Sequence, residues 1–166
     1  KEFLIENGFD RKNGARPLKR SIKTHLETPL ANFIIDNEII QNKTIIITGA
    51  SAGVGAACAR AFASQKANLV LLARGQQGLD AIKEELSEQT KVLTVAMDVS
   101  NTEQCLALLA KAEIEFGTVD VLINNAGMHS RGDLETVSPS DVGAMVDVNI
   151  RAPLILSCAA IPYLRR

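Results

Sequence analysis

Thr48-Gly49-Ala50-Ser51-Ala52-Gly53-Val54-Gly55 sets three glycines between an apolar β-branched run and a helical pattern. Glycine lets a chain turn tightly and lets its backbone approach a phosphate. The start of the following helix then offers unpaired N–H groups and a positive dipole to a pyrophosphate. The same residues can also serve a purely structural turn. At the head of a strand–helix–strand unit they become a dinucleotide signature. No Lys-Ser or Lys-Thr follows Gly55, which disfavours a nucleoside triphosphate loop. The residue that ends the second strand selects the nucleotide. An acidic side chain there, about 20 positions after the glycines, binds the ribose 2′-hydroxyl of NAD. Here Ala73 and Arg74 stand at that place. No carboxylate would repel a 2′-phosphate, and a guanidinium could hold it. Those residues point to NADP; the competing reading of Arg74 is a surface arginine at a strand end.

These residues need elements to position them, and the chain has 166 residues, 46% of them hydrophobic and 22% charged. That suffices for one ordinary domain with a core, or a small one with an appendage. The formal net charge of −1 gives no global field toward nucleic acid or a membrane. No leader and no apolar run long enough to span a bilayer is expected. Cys58, Cys105 and Cys158 lie far apart and fit neither a disulfide framework nor a zinc pattern. They read as reduced thiols in a cytoplasmic protein. His25 and His129 are isolated from each other and from any cysteine pair, so no metal site is expected.

The chain has two textures. Arg11, Lys12, Arg16, Lys19, Arg20 and Lys23 form a basic run, read as a solvated face. Leu18, Ile22, Leu26, Leu30 and Ile34 then recur at four-residue steps, one stripe of a helix that Pro29 interrupts. After Glu38 strands alternate with helices. Strands are expected at Thr44–Thr48, Leu69–Leu72, Val92–Ala96 and Val119–Ile123, and helices at Val54–Lys66, Leu79–Glu88 and Thr102–Phe116. Continuous apolar strands imply a parallel sheet buried on both faces. The order implies an α/β, partial Rossmann fold of about four parallel strands with flanking helices. Ser138 as cap, Pro139 at the first position and Asp141 near the positive end open a long helix running toward Tyr163.

Residues 41–166 resemble the first half of a classical short-chain dehydrogenase/reductase. The resemblance rests on the glycine turn at 48–55, Asp98-Val99 after the third strand, Asn124-Asn125-Ala126-Gly127 after the fourth and Val148-Asn149 in the next helix. It implies cofactor contacts from Gly49, Ser51, Gly53, Val54, Gly55 and Arg74, with Asp98 and Val99 on the adenine side. It also implies that Asn125, Ala126 and Gly127 line the cofactor and brace the sheet. Asn149 matches the family's catalytic asparagine, which supports a proton-relay water beside a lysine. The family's chemistry further needs a serine and a Tyr-x-x-x-Lys pair. The only tyrosine, Tyr163, is followed by Leu164, Arg165 and Arg166, so the chain is expected to bind NADP without turnover. The fourth strand would then be an open edge that invites homo-oligomers.

Residues 1–40 resemble the C-terminal small domain of Clp-type AAA+ unfoldases, through "NGARPLKR" and Thr28-Pro29-Leu30-Ala31. In that family the arginine matching Arg16 reaches ATP held by a large ATPase domain, yet no Walker residues occur in this chain. The chain therefore reads as a chimera joined near residue 40, a helical segment followed by a truncated dinucleotide-binding domain at 41–166. The alternative is a non-enzymatic interaction or structural module. An AAA+ partner would follow only if residues 1–40 act independently.

Overall fold

The computed structural model describes residues 40–129, 135 and 137–165. The chain divides into two units, Lys1–Ile40 and Gln41–Arg166, and all the regular structure described belongs to the second. The basic run, Arg16 and the stripe from Leu18 to Ile34 lie outside the described residues.

Strand and helix alternate as β1 (Thr44–Thr48), α1 (Gly53–Ser64), β2 (Asn68–Ala73), α2 (Gln76–Leu86), β3 (Val92–Ala96), α3 (Thr102–Phe116) and β4 (Val121–Ile123). Beyond β4 follow α4 (Pro139–Val146), a π-turn at Asp147–Arg151 and α5 (Ala152–Leu164). The four strands form one parallel sheet in the order β3-β2-β1-β4, the partial Rossmann fold read from the sequence. Ile46 of β1 lies between Val70 of β2 and Leu122 of β4. The chain therefore steps outward from β1 to β3 and crosses back to the far side of β1 for β4. Such a reversal opens a crevice at the carboxyl ends of the two diverging strands.

Local chemistry explains where the elements begin and end. β1 is Thr-Ile-Ile-Ile-Thr and wholly buried, a β-branched run suited to a central strand. The Asn101 side chain caps α3 by accepting from Gln104 N–H, and Gly117 ends it at φ 76°. Ser138 caps α4 with Pro139 in its first turn, as expected. α2 begins at Gln76 rather than Leu79, because its polar first turn carries no apolar period; Gln76 donates to Asp80 at 2.6 Å. β4 begins at Val121 rather than Val119. Ahead of it, the Asp120 carboxylate accepts from Lys43 Nζ and Thr44 N–H, each at 2.9 Å.

The core has two faces, since alternate residues of a strand point to opposite sides. Ile46, Val70 and Leu72 pack with Leu108 and Leu109 of α3 and Leu156 of α5. Ile45, Ile47, Leu69 and Leu71 are fully buried toward the other side, where α1 and α2 pack on the sheet. Each such side chain contributes about 1.5–3 kcal/mol when fully buried. Burial on both faces holds for β1 and β2 alone. The residues of β3 and β4 are mostly half-buried, because these are the outer strands of the described sheet.

The expectation of no apolar run long enough for a bilayer needs correction. Pro139–Leu164 spans 26 residues with a mean hydropathy of 1.5 in its most apolar window, long and apolar enough to cross a membrane by length and composition. Its few charges are spaced so that one 18-residue window holds no more than two. The helix also has a core side, on which Ala152, Leu156 and Ala160 are buried. Its opposite side shows Val142, Val146, Ile150 and Leu154 at four-residue steps, 40–62% exposed.

Candidate functional site

The carboxyl ends of all four strands converge on a cavity of about 280 Å³. Gly49 and Ser51 line it after β1, Ala73 at the end of β2 with Arg74 and Gly75 just beyond, and Met97, Asp98 and Val99 after β3. Ala126, Gly127 and Met128 close it after β4, with Val148 from the π-turn. Seven of the expected contact residues thus share one cavity: Gly49, Ser51, Arg74, Asp98, Val99, Ala126 and Gly127. Gly53, Val54, Gly55, Asn125 and Asn149 are not on its wall, and the structure gives most of them other work.

Gly49 has φ +66°, and a Cβ there would stand 2.9 Å from Ala126 Cα. A Cβ on Gly55 would stand 2.3 Å from the Gly49 carbonyl oxygen. Helix α1 can therefore approach the tip of β1 only without a side chain at this position. Gly53 and Val54 open α1 in the solvent, with Val54 71% exposed. Ala52 provides no side-chain cap, and the first turn of α1 holds no acidic residue. The helix start therefore keeps its positive end for an anion.

Asn125 serves as a brace beneath the cavity. Its side-chain amide donates to the carbonyls of Thr48, at 2.9 Å, and Gly49, at 3.1 Å. The Thr48 hydroxyl in turn accepts from the backbone N–H groups of Asn125 and Ala126, both at 2.8 Å, and donates to the Ile123 carbonyl at 3.4 Å. One buried hydroxyl and one amide thus join the tips of β1 and β4. Asn149 similarly holds Met128 at both backbone groups. It accepts from its N–H at 2.9 Å and donates to its carbonyl at 2.7 Å.

On the other side of the cavity, Asp98 Oδ1 accepts from Ser100 N–H at 2.8 Å. That backbone bond and the Ser100 side chain hold the Asp98 carboxyl below the usual range, with a smaller contribution from the Arg74 guanidinium. Burial pushes the Cys105 thiol up, and its Sγ donates to the Val99 carbonyl at 3.2 Å, so it is a packed, unreactive group. Among the described residues no group of three or more His, Cys, Asp or Glu could hold a metal. Sequence reasoning did not name Ala73, Gly75, Met97, Met128 and Val148 as contacts on the wall. Each adjoins a residue it did find, and adjacency was the available signal. The junction made by the Thr48 hydroxyl had no signal, because its partners lie more than 70 positions away.

Residues 43–166 match the family model described as short chain dehydrogenase, and residues 1–47 match that of the C-terminal, D2-small domain of ClpB protein. An 11-beta-hydroxysteroid dehydrogenase from Pinus massoniana is 37% identical over 136 residues, 80% of this chain and 38% of that protein. A metagenomic short-chain oxidoreductase solved in complex with NADP is 34% identical with a TM-score of 0.71, covering 75% of this chain and 57% of that one. An alcohol dehydrogenase from the archaeon Thermococcus sibiricus, complexed with 5-hydroxy-NADP, is 35% identical with a TM-score of 0.71, over 75% of this chain and 54% of that one. The chain spans about half, or less, of the length of these relatives.

Thr48→Val should leave the Asn125 and Ala126 N–H groups without their acceptor. The expected loss of unfolding free energy is about 1–3 kcal/mol for each donor, with Thr48→Ser close to wild type; denaturant titration measures both. Asp98 gives a pH signature. Its lowered folded pKa stabilises the native state above the ordinary carboxylate pKa, and this is lost as pH falls through the lowered value. Wild type should thus exceed Asp98→Asn in stability near neutral pH, with the gap closing below the ordinary carboxylate range. A gap that stayed constant in acid would rule out that linkage.

Proposed function

This chain belongs to the short chain dehydrogenase family through residues 43–166, and we propose that it binds a nicotinamide dinucleotide, NADP rather than NAD, in the cavity at the strand ends. The observation that carries the choice is Arg74. It lines the cavity directly after β2, with Ala73 and Gly75 beside it and no carboxylate at that strand end. The residues present fit the group. Gly49 and Gly55 leave backbone where a Cβ would intrude, and the uncapped start of α1 suits a pyrophosphate. Asp98 offers an acceptor at the end of the cavity that Arg74 shares. Two similar solved structures carry NADP or 5-hydroxy-NADP, which supports the same reading. When bound, the nicotinamide would supply a hydride donor or acceptor.

We further propose that these 166 residues bind the nucleotide without turnover. The single tyrosine, Tyr163, packs against the core from α5 rather than lining the cavity, so it offers no proton donor to a carbonyl there. A cytoplasmic setting belongs to this reading, supported by the free cysteines Cys58, Cys105 and Cys158. A second reading, an interaction module for an AAA+ partner, is favoured by the match at residues 1–47. Nucleotide binding discriminates between the two.

NADPH should raise the thermal midpoint of the purified chain more than NADH does, since a ligand of the native state stabilises it. Arg74→Ala should abolish that difference, with no oxidation of NADPH by generic carbonyl substrates in either protein. A midpoint deaf to both nucleotides would sink the cofactor reading and leave the interaction module. Self-association is part of the same proposal. Among the described residues no strand pairs with the outer edge of β4, and the stripe from Val142 to Leu154 on the following long helix stands exposed. Light scattering should show mass rising with concentration; a constant monomer mass would count against the open edge as a contact.

A further inference from the structure

The π-turn Asp147–Arg151 places Val148 on the cavity wall and binds two of the segments that lead from the strand ends. Asn149 holds Met128, while Arg151, two residues on, reaches across 51 positions of sequence to donate from Nη2 to the Ser100 carbonyl at 3.0 Å. Asp147 orients that guanidinium, its Oδ1 lying 2.9 Å from Arg151 Nε. Ser100 is thereby held at both backbone groups, its carbonyl by Arg151 and its N–H by the Asp98 carboxylate at 2.8 Å. The Asp98 carbonyl closes the same turn by accepting from Asn101 N–H at 3.0 Å.

We infer that Arg151 is a positioning residue for the Arg74 end of the dinucleotide cavity, acting through Ser100 on Asp98. The inference rests on the cofactor reading above. Its physical basis is a competition. Asp98 and Arg74 both line the cavity and follow the paired strand ends Ala96 and Ala73, and the two attract each other. While Ser100 is fixed, the Asp98 carboxylate is turned to the Ser100 N–H, and the Arg74 guanidinium remains available to a 2′-phosphate. Once Ser100 is free to move, that carboxylate can turn to Arg74 and occupy the cation that the phosphate needs. The loss falls on the phosphorylated nucleotide, because NADH makes no demand on Arg74.

The test compares wild type, Arg151→Met and Arg151→Lys as full chains, titrated with NADPH, NADH and adenosine 2′,5′-bisphosphate. Arg151→Met should bind NADPH and the bisphosphate roughly three- to tenfold more weakly, the range for one ordinary hydrogen bond, since Arg151 acts on the ligand only through Ser100 and Asp98, with little change for NADH. Arg151→Lys, which keeps a cationic donor, should recover most of the preference. Amide exchange of the unliganded proteins gives a second readout: Arg151→Met should speed exchange at Ser100 and Asn101. A merely structural role would weaken both nucleotides together, and that result overturns the inference. So does an Arg151→Met protein with the wild-type preference and unchanged exchange, while leaving the cofactor reading intact. If wild type itself binds neither nucleotide, the cofactor reading fails first, and Arg151 has no ligand end to position.

Discussion

The site depends on the junction between the tips of β1 and β4, made by the Thr48 hydroxyl and the Asn125 amide. β4 is only three residues long, too short for its own ladder to aim the segment that follows. The junction supplies that aim. Hydrogen bonds from Asn125 and Ala126 to one hydroxyl, and from the Asn125 amide to two carbonyls, set the chain across the end of β1. In a part-buried place these groups have few other partners, so the network must be satisfied as a whole. The glycines belong to the same constraint. Gly49 and Gly55 are glycine because α1, the tip of β1 and the Ala126 segment share a space with no room for a Cβ.

Around that junction the fold divides its labour. The buried strands β1 and β2 and the helices on both faces hold the sheet together. The long helix beyond β4 holds the loops. Its core side anchors it through Ala152, Leu156 and Ala160, and its π-turn sends Asn149 to one loop and Arg151 to the other. A π-turn is a local widening of a helix and is frequent at functional sites. Here it lines the cavity through Val148 and bonds to Met128 and Ser100. Apolar side chains of this helix, Val142, Val146, Ile150 and Leu154, are left exposed, and the residues of β4 are only half-buried.

Much of the fold was legible because it depends on local pattern. Thr44–Thr48, Val92–Ala96 and Thr102–Phe116 coincide with the observed elements, and the Ser138-Pro139-Ser140-Asp141 start of α4 is readable from cap chemistry alone. The polar first turn of α2 escaped because the signal was an apolar period. The half-exposure of β3 and β4 escaped because an apolar outer strand and an apolar inner one look alike in sequence. The exposed stripe of α4 and α5 escaped for a related reason: apolarity on every side of a helix does not say which side is covered.

By itself the sequence determined the residue types of the site: a glycine turn after a β-branched strand, an arginine where an acid would select NAD, and an aspartate and an Asn-Asn-Ala-Gly run after later strands. These follow from short-range rules, each satisfied within a few residues. Tertiary structure alone decided which of them meet. It put Arg74 and Asp98 at one end of a single cavity. It assigned Asn125 and Asn149 to backbone groups rather than to the cavity wall, and it drew Ser100 and Arg151 together. Hydrogen-bond partners 21 to 78 positions apart become neighbours only when parallel strands, which must return by crossovers, bring their ends to the same edge of the sheet.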